Sequence, residues 1–187
     1  MTKLILDSTS TAQWHRLVTE AQACTAQQLD EQSESYLVFL LMRYLRSREL
    51  LRRVMALGYL HAMESSGRVQ EERLRDVGDQ CLMLAGLFPG QARRRRVGSD
   101  YFVDLGRSAY SQVQRNAAGG IGELYGTLAA QFLDLRDVLR ALRAVPEPEG
   151  ETLEAALRRM EQTASREPGT AWTPAGKIPG TASRRRH

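Results

Sequence analysis

Between residues 121 and 142, apolar side chains fall at Ile121, Tyr125, Leu128, Phe132, Leu135, Leu139 and Leu142, a 4-3-4-3-4-3 spacing. On a helix these positions line one side for about six turns, a stripe wide enough to bury against other helices. Leu74, Val77, Cys81, Leu84 and Phe88 repeat the pattern as 3-4-3-4. No strand-like alternation competes with it. The chain is expected to be all-α, an up-and-down bundle of five or six core helices.

At 187 residues the chain can bury a proper core in one domain without disulfide or metal staples. Cys24 and Cys81 have no metal-ligand spacing and read as small buried hydrophobes in a reducing compartment. Leu4, Ile5 and Leu6 are too short a run for a signal-peptide core. The apolar run over 36–42 is interrupted by Arg43 and Arg46, well short of the roughly 20 residues of a membrane span. A cytosolic protein is expected.

The formal charge of +4 lies wholly in residues 165–187, and the rest of the chain is formally neutral. The folded part therefore has no overall basic field to steer polyanions.

Along the chain, 1–10 is expected to be a flexible N-terminus and 11–145 the bundle. Residues 146–164 would form a linker with a short amphipathic helix, and 165–187 a disordered basic tail. A first helix follows the capping-box spacing at Ser10, with Trp14, Leu17, Val18 and Ala21 inward. The second, from about Ser33 to Leu45, is nearly all apolar and should be surrounded by neighbours. The third carries Leu50, Val54, Leu57 and His61 as its stripe and stops at Ser66 and Gly67. The fourth covers roughly 69–88 and ends at Pro89. Ser99 caps the fifth, whose inward residues are Phe102, Leu105, Ala109 and Val113. The heptad helix is the sixth and should sit centrally, because Gly122, Gly126 and Ala129 give it a second contact face.

Few constellations carry chemistry. Gly58, Gly78, Gly106 and Gly126 stand mid-helix, where glycine costs about 1 kcal/mol relative to alanine. Tight helix crossings explain them better than a ligand pocket, although Gly58 with His61 is a candidate pocket. His61 precedes Glu64 by one turn, but no second such pair supplies a di-iron or zinc set, and a core or half-buried histidine is the simpler reading. Glu72, Asp76 and Asp79 lie opposite the fourth helix's apolar stripe and read as a solvated face. Neither a phosphate loop nor a nucleophile motif is present. No catalytic residue, metal or cofactor is assigned.

Arg93, Arg94, Arg95 and Arg96 in an interhelical linker, with Arg184, Arg185 and Arg186 near the end, are candidate contacts for a partner or an anion. The leading expectation is a non-enzymatic helical bundle acting through protein–protein contacts, in an adaptor or regulatory role with an unidentified protein partner. A homodimer through the heptad is an open arrangement. The alternatives are a nucleic-acid or phosphate-binding accessory protein using the arginine clusters, which is not favoured, and a small-ligand sensor or unrecognised enzyme with an interhelical pocket near His61.

Overall fold

Short polar and glycine-containing turns divide the chain into helices. The computed structural model describes residues 10–44, 55–90 and 98–144. The helices are α1 (Ser10–Thr25), α2 (Glu31–Tyr44), α3 (Met55–Met63), α4 (Gly67–Gly86), α5 (Ser99–Asn116), α6 (Gly120–Ala130) and α7 (Phe132–Leu142). No strand occurs among the described residues, and the fold is all-α.

Asp30 starts α2. Its Oδ1 accepts the backbone N–H groups of Gln32 and Ser33, both at 3.0 Å, and its Oδ2 accepts the Ser33 hydroxyl at 2.8 Å. Those amides have no partner within the helix itself, which is why an aspartate suits this position. Gly67 (φ 57°) and Gly119 (φ 63°) take left-handed backbone at the α3–α4 and α5–α6 turns. Ala26 does the same after α1, with φ 54°.

α4, rather than the heptad helix, is the central rod. It packs on α3, α5 and α7, while α1 packs on α2 and α7, and α5 on α6. Every residue from Val77 to Gly86 is buried, so this half of α4 has neighbours on all sides. Close approach depends on glycine. A Cβ on Gly106 would collide with the Phe132 ring and lie 3.0 Å from the Cys81 Cβ, and one on Gly78 would collide with the Tyr110 ring.

The heptad is not one helix. α6 stops at Ala130 and α7 begins at Phe132, with Gln131 (φ −87°, ψ 13°) between them. The apolar stripe nevertheless runs across the break, because Leu128, Phe132, Leu135 and Leu139 are all fully buried. Ile121, its first member, is 58% exposed. α2 also differs from the expectation of a fully surrounded helix, since Phe39 points outward. Gly98 occupies the capping position of α5, and Ser99 is its first helical residue. The short helix and basic tail expected after residue 145 lie outside the described residues. Among the described residues, no helix is long and apolar enough to cross a membrane.

Candidate functional site

Two polar arrangements are built on α4, one buried and one open. The buried one is centred on Asp79, which is only 2% exposed. Its Oδ1 accepts the Tyr36 hydroxyl of α2 at 2.5 Å and the Tyr110 hydroxyl of α5 at 2.8 Å. The Tyr125 hydroxyl of α6 stands 3.3 Å from that of Tyr36. Arg43 of α2 reaches Asp79 Oδ2 at 3.6 Å and Asp76 Oδ1 at 2.9 Å. Four helices therefore meet around one carboxylate.

Burial raises the Asp79 pKa from 3.8 to about 6, against the Tyr36 and Tyr110 hydrogen bonds and the Arg43 charge, which pull it down. Burial and the nearby Asp79 charge push Tyr36 and Tyr110 well above the usual tyrosine range, so both remain hydroxyl donors. Tyr36, Tyr110 and Tyr125 pack their rings at 5.4–6.3 Å between centroids, so aromatic contacts tie together the helices that meet here. Its chemistry is that of a structural junction.

Asp79 overturns the expectation of a solvated acidic face. It does lie opposite Leu74, Val77 and Cys81 on α4, but Tyr36 of α2 and Tyr110 of α5 close over it on that side. A helical wheel shows a helix's own stripe and not what packs on its back. Glu72 is exposed and pairs with Arg68 at 3.0 Å, and Asp76 is half-buried.

The open arrangement is a groove of about 410 Å³ between α3 and α4. Met55, Leu57, Gly58 and His61 form its α3 side, and Arg73, Asp76, Val77 and Gln80 its α4 side. Gly58 faces Val77, and a Cβ there would stand 3.3 Å from the valine Cγ2. Arg73 Nη1 donates to the Ser65 hydroxyl at 2.6 Å and to the His61 carbonyl at 3.3 Å, and it meets no carboxylate among the described residues. Asp76, in contrast, is neutralised by Arg43 at 2.9 Å and Arg75 at 3.2 Å.

Gly58 and His61 thus stand together on this groove. His61 is exposed, contrary to the expectation of a core or half-buried histidine, and Leu57 is exposed with it. α3 instead buries Met55 and Ala62, seven residues apart, and so turns Leu57 and His61 outward. Cys81 is buried as expected, whereas Cys24 is exposed on α1. Arg93, Arg94, Arg95, Arg96, Arg184, Arg185 and Arg186 lie outside the described residues. Among the described residues, no three His, Cys, Asp or Glu side chains group to hold a metal ion.

The Asp79 cage and Arg73 lie outside the site residues expected from the sequence. Tyr36, Tyr110 and Tyr125 are far apart in the chain and carry no shared spacing. The one local signal was Gly78 beside Asp79, a bare position that admits the Tyr110 ring. Compared with known protein families, with curated proteins and with solved structures, the chain matches none of them.

Proposed function

We propose that this is a non-enzymatic, cytosolic helical-bundle protein that acts through protein–protein contacts, in an adaptor or regulatory role. Its contact surface is the outer face of α3 with the groove beside it, and the occupant is an amphipathic helix of another protein. The observation that carries this reading is α3 itself. Its sequence, MALGYLHAM, is dominated by apolar residues, yet only Met55 and Ala62 are buried. Leu57 is 52% exposed, Leu60 55% and Met63 42%, and Val69 in the first turn of α4 is exposed as well. Scattered apolar residues need no explanation, but a cluster on one short helix next to a groove is the usual make-up of a binding surface.

The groove's openness supports a side chain of a protein partner over a free small molecule. Small-ligand pockets enclose about 70–90% of their ligand. Here Leu57 and His61 on the wall are themselves exposed, so the space is a trough.

The test uses tagged wild-type protein and a Leu57→Ser/Leu60→Ser variant, each purified from the native cell. A partner retained by the wild type is identified, purified and titrated against both proteins. It should bind the wild type and lose at least about tenfold in affinity with the variant. Equal binding to both would remove α3 from the contact surface.

A further inference from the structure

The groove has a polarity that the outer face of α3 lacks, and it limits what kind of helix can dock. Its floor is apolar, with Val77 on one side and the bare backbone of Gly58 on the other. One turn back on the same helix stands Arg73, whose guanidinium is held by neutral oxygens of Ser65 and His61. The acid that shares the groove, Asp76, is already engaged by two arginines. The groove therefore offers an apolar seat and, four residues away on α4, a cation with no carboxylate against it among the described residues.

We propose that the groove binds an acidic amphipathic helix, seating an apolar side chain on Gly58 and Val77 and a glutamate or aspartate one turn away on Arg73. The inference rests on the docking surface proposed above and adds the chemistry of its partner. The register follows from helix geometry. Arg73 and Val77 are separated by one turn of α4, and a partner helix lying along α4 presents its own i and i+4 side chains at the same repeat. Arginine suits this role because its planar fork can grip a carboxylate with two parallel hydrogen bonds. Gly58 matters because a larger residue there would press on the Val77 side chain and push α3 away from α4, changing the width of the groove.

Two designed peptides of about 18 residues, long enough to hold a helix, provide the probe. Both carry leucine at one heptad stripe, and one carries glutamate where the other carries lysine, four residues from each leucine. Fluorescence anisotropy with the full chain should show the Leu/Glu peptide binding at least about tenfold tighter than Leu/Lys, with affinity falling as salt rises. Arg73→Glu should reverse that preference, and Arg73→Gln should abolish it. Leu57→Ser should weaken both peptides. Arg73 and Leu57 are exposed, so circular dichroism should show these two sets of variants folded as the wild type is.

Equal affinity for the two peptides, no binding of either, or an Arg73→Glu variant with unchanged preference would overturn the inference. So would association with phosphatidylglycerol vesicles in place of the Leu/Glu peptide. Self-association that Leu60→Ser abolishes, with neither peptide bound, would mean that α3 pairs with a second copy. If the native partner is lost by Leu57→Ser/Leu60→Ser but kept by Arg73→Glu, the docking surface stands and only the acidic-helix reading falls.

Discussion

Asp79 buries a carboxylate where four helices converge, and its ionisation opposes folding. Its pKa is 3.8 when exposed and about 6 in the fold, so the unfolded chain releases this proton first as pH rises. The unfolded state then binds fewer protons between about pH 4 and 6, and stability from this group falls as pH rises through that window. It is fully present below about pH 4 and lost above about pH 6. The rise corresponds to ~3 kcal/mol. In an Asp79→Asn variant the side-chain carbonyl oxygen still accepts the tyrosine hydroxyls, but the amide does not titrate. Urea unfolding at several pH values should show the wild type losing roughly 3 kcal/mol relative to Asp79→Asn between pH 4 and 7. A constant difference would mean that Asp79 keeps an ordinary carboxylate pKa in the fold. Ala26 offers a second test at this scale. An alanine at φ 54° bears the clash of its Cβ with the carbonyl, so Ala26→Gly should raise stability by about 1 kcal/mol, read as a rise in Tm of about 2–4 °C. An unchanged or lower Tm would refute the strain.

Among the elements, α2 depends on its first residues more than its sequence advertises. Asp30 caps it through two backbone amides, so Asp30→Ala should destabilise the protein by about 1 kcal/mol, whereas Asp30→Asn should retain most of the cap. Equal losses in the two variants would point to the Asp30 charge. The inward faces of α1, α4, α5 and the heptad were legible in the sequence because each carries a strong period of its own. Trp14, Leu17, Val18, Phe102, Ala109, Val113 and Leu128 are buried as their spacing requires. What could not be read is whatever depends on a neighbour. Nothing in α4 alone says that Tyr36 of α2 and Tyr110 of α5 close over Asp79. Nothing in the 4-3 repeat says that Gln131 interrupts the helix while the stripe continues. The apolar residues of α3 nearly encircle it, which leaves the direction of the core undetermined until α4 fixes it. Of the candidate site, Gly58 and His61 could be named, but Arg73 acquires its meaning only from the groove.

At the scale of the whole molecule, the heptad from Tyr125 to Leu142 is buried within the chain itself. Leu128 and Phe132 are fully buried without any second copy, and the Phe132 ring packs against Tyr110 at 5.7 Å and fills the space left by Gly106. Phe132→Asp should therefore unfold the protein and not merely dissociate it. Loss of a buried phenylalanine costs about 3–5 kcal/mol, and an unpaired carboxylate in the same place adds several more. Together these rival the roughly 5–15 kcal/mol that holds a typical domain folded. Loss of helical circular dichroism and of soluble expression is the expected result. A variant that stays helical but sediments as a smaller species would show the stripe to be shared between copies. Leu57→Ser/Leu60→Ser supplies the contrast, since half-exposed leucines on α3 contribute little to the core. That variant should melt within a few degrees of the wild type while losing its partner. Opposite behaviour of the two variants separates the residues that hold the bundle together from those that let it bind.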